Sequence, residues 1–255
     1  MFRIRIQNKK KCIWYCSAVV SFLLFLLLLG WTNHLANTQD AQQMAGRWSE
    51  KKDVAQISCF FSSKAEVTED TIQSFEYSLK NVLQEASITE TSENPSARLW
   101  VDAYSADGKI TLVNGKNTLD ANAIGIGGDF FMFHPLKLIT GAYFSGNDLM
   151  QDYCIIDQDA AWQLFGSNDV VGMTVYIGNV PHIVTGVVQR PDSRMDKAAG
   201  LNSTVVYVSY ETLSAYGTNN GINHYEIVMP NPVDEFAYGK VKEGIGIDEK
   251  NVEIV

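Results

Sequence analysis

The side chains best suited to catalysis or metal binding are few and widely separated along this chain. The sequence has 4 histidines, and no two of them stand at the spacing of a metal-binding motif. An imidazole acts as a metal ligand or a general base when a second ligand or a carboxylate lies beside it. The spacing therefore favours capping or surface roles for these residues, which are His34, His134, His182 and His224.

Two pairs of aspartates have the composition of an acid–base site. They are Asp148 with Asp152, and Asp157 with Asp159. Such chemistry needs two carboxyl groups about 5–10 Å apart across a substrate cleft. No feature of the sequence supplies that cleft, so solvated loop aspartates are the favoured interpretation.

A glycine-rich run, with Gly125, Gly127 and Gly128, has the composition of an anion cradle. It matches neither a P-loop nor the G-x-G-x-x-G dinucleotide pattern. The sequence also contains no G-x-S-x-G, H-E-x-x-H or C-x-x-C motif. Close backbone packing explains the glycines better. We therefore expect a protein that is not an enzyme, with no catalytic, cofactor-binding or metal-binding residue.

The first structural element that the sequence predicts is an uncharged apolar run from Cys12 to Trp31. About 20 residues of helix cross a hydrocarbon layer of roughly 30 Å. We therefore predict a transmembrane helix over residues 12–31. A cleaved signal peptide is the alternative, but its apolar core is normally about 7–15 residues and ends at a small-x-small site. Gly30, Trp31 and Thr32 make a poor cleavage site.

The flanking charges predict the orientation of this helix. The first charge after the run is Asp40, whereas 5 basic residues precede it: Arg3, Arg5, Lys9, Lys10 and Lys11. Positive residues remain inside, so we expect an N-terminus in the cytoplasm and residues 32–255 outside the cell membrane. The predicted segments are a basic tail (1–11), the membrane helix (12–31), a polar stalk (32–52) and an extracytoplasmic core domain (53–255).

The exported part is strongly acidic. All 29 acidic residues but only 15 of the 20 basic ones follow Trp31, which gives a net charge of about −14. A negative surface repels phosphate backbones, so we expect no nucleic-acid partner. Cys59 and Cys154 lie in this part. An exported domain allows them to form one disulfide, and two buried free thiols are the alternative.

The pattern of the exported part predicts an α+β fold. A strand over residues 54–61, a helix over 68–86 and a strand over 99–104 form a β-α-β unit, and Asp107-Gly108 is a turn signal. A small β-rich part follows, with a helix over 158–165 that Gly166 ends and a hairpin over 174–188. The expected core aromatics are Phe130, Phe131, Phe133, Phe144, Trp162 and Phe165.

The order of motifs in residues 123–188 resembles the extracytoplasmic core domain of MacB-type (FtsX-like) ABC transporter permeases. A glycine-rich strand leads to an aromatic pair, a G-x-x-F segment and a loop aspartate, followed by an A-x-x-L-F-G helix end and two further strands. The residues that carry the resemblance are Gly128, Phe131, Gly141, Phe144, Asp148, Leu164, Phe165, Gly166, Gly172 and Gly186. The resemblance implies a structural role for them, with Leu164 and Phe165 filling the core beneath a turn.

The same resemblance implies a function. It implies a permease subunit whose outer domain changes conformation for export or mechanotransmission, driven by a separate ABC ATPase. It also implies a dimer with itself or a related permease, contact with membrane lipid, and a longer protein with further membrane helices. The alternative is a single-span, membrane-anchored binding or sensor module.

Overall fold

The first compact unit contains a long N-terminal helix. A computed structural model describes residues 2–37, 40–49, 53–89, 98–190, 198 and 203–255, and contacts divide the chain into units Met1–Gln43 and Met44–Val255. Helix α1 (Phe2–Asn37) has 36 residues. Its segment Ile13–Leu35, with a mean hydropathy of 2.3, is long and apolar enough to cross a membrane. Residues 38–39 and 50–52 of the predicted stalk lie outside the described residues, as do residues 90–97.

The second unit is a mixed α/β domain. Its helices are α2 (Met44–Trp48), α3 (Glu69–Glu85), α4 (Phe130–Phe133), α5 (Gln158–Phe165), α6 (Tyr210–Tyr216) and α7 (Phe236–Gly244). Its strands are β1 (Val54–Phe61), β2 (Val101–Asn114), β3 (Asn117–Gly128), β4 (Leu138–Gly141), β5 (Tyr153–Asp157), β6 (Thr174–Ile177), β7 (Val180–Val188), β8 (Val205–Ser209), β9 (Thr218–Asn219), β10 (His224–Pro230) and β11 (Val252–Ile254). The α+β class predicted from the sequence is confirmed.

The strands form two regions that share β2 and β3. In the first region, which we call the open sheet, the order is β11-β1-β10-β2-β3. In the second, β2, β3, β8, β5, β7 and β6 pair in succession, and β6 pairs back with β2. We call this closed ring the barrel. The predicted β-α-β unit is present, with β10 inserted between β1 and β2.

Strand β2 contradicts the turn expected at Asp107-Gly108. The strand runs without interruption, and the turn to β3 comes at Gly115-Lys116. Gly108 is needed for a different reason: a Cβ atom there would lie 2.4 Å from the Thr218 carbonyl oxygen and 2.9 Å from Leu213. The glycine lets α6 and β9 approach the strand closely.

Two buried clusters lie in the second unit. One contains the residues of α3 that face the open sheet (Ile72, Phe75, Leu79 and Leu83), together with aliphatic residues of the barrel. The other contains Met44 of α2 and the aromatic residues of α4. Since Met44 is 2% exposed, helix α2, which falls in the segment predicted as a stalk, packs as part of this unit.

Candidate functional site

The end of β3 makes a tight backbone crossing that presents α4. Gly128 has a φ angle of +64°, and a Cβ atom there would lie 2.5 Å from the Asp102 carbonyl oxygen. The Asp129 amide donates to that same oxygen at 2.8 Å, and the Gly146 amide donates to the Gly128 carbonyl at 3.1 Å. Only glycine fits this positive φ without strain. The chain passes from β3 directly into the aromatic helix α4 at this point.

Helix α4 inserts its aromatic rings under the open sheet. Phe130, Phe131, Phe133 and Phe144 are 0–8% exposed, as the sequence predicts. The Phe131 ring stacks on Tyr143 with centroids 4.6 Å apart and meets Phe144 edge-on at 5.7 Å. Trp162 contradicts the expectation, because its side chain is 59% exposed.

Gly141 on β4 and Gly186 on β7 allow these two strands to approach each other closely. A Cβ atom on Gly141, whose φ is +85°, would lie 2.1 Å from the Thr185 carbonyl oxygen. A Cβ atom on Gly186 would lie 3.0 Å from the Ala142 carbonyl oxygen. Register shifts lie beside these glycines, between Leu138 and Thr140 of β4 and between Val184 and Gly186 of β7, and such irregularities are typical of β-bulges.

Helix α5 packs against the barrel through three buried residues, Ala160, Ala161 and Leu164, and the partly buried Phe165. Leu164 is 1% exposed, whereas Phe165 packs against the core only in part. Gly166 ends the helix with a φ of +73°, and Gly172 has a φ of +81° in the turn before β6. The structure therefore gives Leu164 the core-filling position that the sequence assigned to both residues.

Three of the four candidate aspartates have local partners, whereas Asp152 Oδ1 is buried without a hydrogen-bond partner among the described residues. Asp148 accepts a hydrogen bond from the Ser145 amide at 3.0 Å. Asp157 accepts from the amides of Ala160 (2.7 Å) and Val205 (3.0 Å). Asp159 pairs with Arg190 at 2.5 Å. These carboxylates hold turns and helix ends, which is a structural role.

Cys59 and Cys154 are both buried and both free. Cys59 on β1 pairs across the sheet with Tyr225 and Ile254, whereas Cys154 on β5 pairs with Val184 and Val208. The two strands are not neighbours, while a disulfide needs Cα atoms within about 7 Å. Burial raises the pKa of each thiol to about 12, so both are protonated and poorly reactive at neutral pH.

A partly buried acidic cluster lies between α3 and the open sheet. Burial, followed by the neighbouring Asp102 and Glu69, raises the pKa of Glu76 to about 8. Burial also raises the pKa of Asp102, which accepts a hydrogen bond from the Tyr225 hydroxyl at 3.1 Å. The Tyr104 hydroxyl donates to Glu69 at 2.8 Å. The cluster can retain protons at neutral pH.

On the opposite face of β10, two histidines converge on one carboxylate. His134 Nε2 lies 2.5 Å from Glu226 Oε2, and His224 Nε2 lies 3.9 Å from Glu226 Oε1. Burial acts to raise the pKa of Glu226, but the two imidazoles and the Ser58 hydroxyl outweigh it and lower the pKa. Burial lowers the pKa of His224. At neutral pH this group therefore combines an ionised carboxylate with an unprotonated His224.

Sequence reasoning missed this cluster. Spacing placed no two histidines together, because His134 follows α4 and His224 begins β10, roughly a third of the chain later. The one local signal was the pair His224 and Glu226, which share a face of β10 because alternate residues of a strand point the same way.

A wide cleft of about 440 Å³ opens beside the barrel. It is lined partly by charged residues, among them Lys137, Asp157 and Arg190, and partly by apolar ones such as Ile124 and Tyr207. Asp157 is bonded to two amides, and Arg190 to Asp159, so two of these three charged side chains already have partners within the protein.

Residues 20–251 match the family described as MacB-like periplasmic core domain. Among curated relatives, the macrolide export ATP-binding/permease protein MacB of Chromobacterium violaceum is 32% identical over 99 residues, which cover 38% of this chain and 15% of that protein. The protein of the same description from a Shewanella species is 31% identical over 120 residues, 45% of this chain and 18% of that protein. The matched segments thus span less than a fifth of the length of these relatives.

Two solved structures are similar over much of the chain. The extracellular domain of the noncanonic ABC-type transporter YknZ from Gram-positive bacteria is 17% identical, with a TM-score of 0.48, over 78% of this chain and 99% of that one. The periplasmic region of MacB from Actinobacillus actinomycetemcomitans is 19% identical, with a TM-score of 0.47, over 78% and 87% of the two chains. The family match takes in most of the chain, from the middle of α1 to the residues before β11, and on this ground the chain belongs to the family of MacB-like periplasmic core domains.

Proposed function

We propose that this chain is the extracytoplasmic core of an ABC transporter permease, moved by ATP hydrolysis in a separate ATPase subunit. The family match over residues 20–251 carries the proposal, because it includes the second half of α1 as well as the α/β domain. The relatives' description as ATP-binding/permease proteins supports the pairing with an ATPase. In this proposal the chain itself performs no catalysis and works as a dimer.

The proposed topology places residues 1–11 in the cytoplasm and the α/β domain outside. Its support is the basic N-terminal tail followed by the apolar segment Ile13–Leu35. Because Met44 is already buried in the α/β domain, we propose that the stalk ends before this residue. A reporter enzyme that is active only outside the cytoplasm, fused after Val255, tests this topology; an inactive fusion would contradict it.

The contacts of α2 suggest how movement enters the domain. The Met44 amide donates to the side chain of Gln56 at 2.9 Å. The Arg47 guanidinium donates to the Met132 carbonyl oxygen at 2.7 Å. The first helix after the stalk is thereby fastened both to β1 and to the end of α4. A pull on the stalk would reach the aromatic cluster directly, which fits a mechanical role better than a freely tethered one.

Co-purification with an ATPase tests the proposal. The full chain, tagged at Val255 and extracted from its native membrane in mild detergent, should retain a nucleotide-binding ABC subunit in a fixed ratio. A control chain in which residues 2–37 are replaced by an unrelated membrane helix keeps the α/β domain as a separate compact unit. That control should lose the ATPase, because the coupling is expected to run through the membrane segment.

The alternative function, a single-span binding or sensor module, gives the opposite result. A sensor would purify without an ATPase under the same conditions. That outcome, with the domain shown to be folded by its thermal transition, would refute the permease proposal.

A further inference from the structure

We propose that His134, His224 and Glu226 form a binding site for one divalent transition-metal ion, Zn²⁺ in the first instance. One ligand atom of each residue lies within 4.8 Å of the others. Two imidazoles and one carboxylate are a ligand set that zinc sites use, and they leave a fourth position for water or an external ligand. The site is independent of the proposed transport function.

One of the three ligand atoms lacks a partner. His134 Nε2, His224 Nε2 and Glu226 Oε2 are all buried from solvent. His134 Nε2 and Glu226 Oε2 form a close ion pair, whereas His224 Nε2 has no hydrogen-bond partner in the described part of the chain. Glu226 as a whole is 4% exposed, and a buried polar atom without a partner is costly and rare in folded proteins. A metal ion would give His224 Nε2 a partner and join it to the His134–Glu226 pair.

The separations suit a small ion. Zinc bonds to nitrogen and oxygen are about 2.0–2.2 Å long, so the ligand atoms of a tetrahedral site stand about 3.3 Å apart. His134 Nε2 and Glu226 Oε2 are 2.5 Å apart, which is closer than that value, and the ligand atoms of all three residues lie within 4.8 Å of one another. A bound ion would therefore move the first two atoms slightly apart. The nitrogen-rich set favours zinc or a neighbouring transition metal over Mg²⁺ and Ca²⁺, which prefer oxygen ligands.

A second layer of contacts fixes the ligands. The other carboxylate oxygen, Glu226 Oε1, accepts hydrogen bonds from Ser58 at 3.1 Å and from Gln56 at 3.4 Å. These bonds leave Oε2 for the ion. The His224 ring stacks on Phe60 with centroids 4.6 Å apart, and the His134 ring packs on Phe130 at 4.7 Å. Such outer contacts orient the ligands in metal sites.

The site has a route for the ion and a structural consequence. The side chains of His134 and His224 are 24% and 19% exposed, although their Nε2 atoms are buried, so an ion would enter from solvent by a small movement of these rings. His134 caps the end of α4, whereas His224 and Glu226 belong to β10. A bound ion would therefore link the aromatic helix to the open sheet.

Metal analysis of the full chain in detergent, without a polyhistidine tag, tests the proposal. After chelation and dialysis, titration with Zn²⁺ alone should give one ion per chain, with no such binding of Mg²⁺. Zinc at about 100-fold above its dissociation constant should raise the melting temperature of the domain by roughly 5–10 °C. His224→Asn and Glu226→Gln should each weaken binding about 100-fold or more, and Ser58→Ala about 10-fold.

His182→Asn is the matched control. His182 is also buried, but its ring nitrogens already contact the Val180 carbonyl oxygen at 3.0 Å and Thr212 at 3.2 Å. Zinc affinity should survive this change. Equal loss in His182→Asn and His224→Asn, or wild-type affinity in His224→Asn, would overturn the site.

Cobalt substitution keeps the test decisive if a variant fails to fold. Co²⁺ bound to the wild-type chain by two imidazoles and a carboxylate should show visible d–d bands of a low-coordinate ion, which Zn²⁺ then displaces. Absence of these bands, together with no zinc retained after dialysis, would mean that the three side chains form only an ion pair.

Discussion

The open sheet and the barrel differ in how they treat buried polar groups. Around the barrel, buried Asp157 and His182 have hydrogen-bond partners on both of their polar atoms, whereas Asp152 Oδ1 and Asn168 Oδ1 are buried without one among the residues that the structure describes. In the open sheet, the two faces of β10 and its neighbours carry the acidic cluster around Glu76 on one side and the histidine–glutamate cluster on the other. The titratable groups of the open sheet differ because several of them lie together in each cluster, so that their charges influence one another. We therefore regard the barrel as the scaffold and expect the open sheet to be the region that responds to protons or ligands.

The sharpest test of the scaffold role is Leu164→Ala. Removing this 1% exposed side chain should lower the free energy of unfolding by about 2–5 kcal/mol, because it leaves a cavity beside the barrel. Urea unfolding of the full chain gives the value. Phe165→Ala is the matched control from the next position on α5 and should cost less, since Phe165 is only partly buried. A larger loss for Phe165→Ala would contradict the packing described here.

The second prediction compares two glycines with positive φ. Gly128→Ala should destabilise by about 2–3 kcal/mol, because the new Cβ atom would lie 2.5 Å from the Asp102 carbonyl oxygen. Gly166→Ala at the end of α5 should cost about 1 kcal/mol, the left-handed conformation alone, since no atom lies within 4 Å of its added Cβ. Equal losses in urea unfolding would show that the β3 crossing is not tightly packed.

The third prediction concerns pH. The pKa of Glu76 is raised from 4.5 to about 8 in the folded protein, so the folded state binds more protons than the unfolded state between these values. The free energy of unfolding should therefore fall as pH rises from about 4.5 to about 8. Because Glu76 is partly exposed, we expect a loss of about 1–2 kcal/mol.

Glu76→Gln isolates this effect. The variant cannot ionise at this position, so its stability should be flatter over the same range and should exceed that of the wild type at pH 8. Thermal unfolding at a series of pH values checks it. If the stability of the two proteins changed with pH in the same way, the acidic cluster would not be a source of the pH response.

The smallest effects are expected from surface ion pairs, one in each region. Arg98→Ala removes the 2.5 Å contact with Asp129 at the open sheet, and Arg190→Ala removes the 2.5 Å contact with Asp159 beside the barrel. Each should cost under about 1 kcal/mol and less at high salt. A loss that salt does not reduce would show that one of these arginines packs rather than pairs.

Local patterns predict the parts of the fold that local interactions determine. The bounds of α5 follow from the apolar residues that it places on one face and from Gly166, which ends the helix in a left-handed conformation. The hairpin of β6 and β7 follows from Gly178-Asn179, both of which have positive φ angles.

Long-range packing explains what the sequence did not predict. Asp107-Gly108 reads as a turn, but Gly108 remains in β2 because α6 and β9 press against it. Trp162 lies on the outer side of α5, so its size did not indicate burial. The histidine–glutamate cluster depends on the packing of α4 against β10, which no local spacing encodes.

Strand β2 begins in the open sheet beside β10 and ends in the barrel beside β6, and β3 pairs with it throughout. The open sheet and the barrel therefore share the continuous strand pair β2–β3, which has no hinge between the two regions. Bending the open sheet away from the barrel would require breaking the backbone hydrogen bonds between β2 and β3. We therefore expect that a displacement applied to the open sheet moves the barrel together with it.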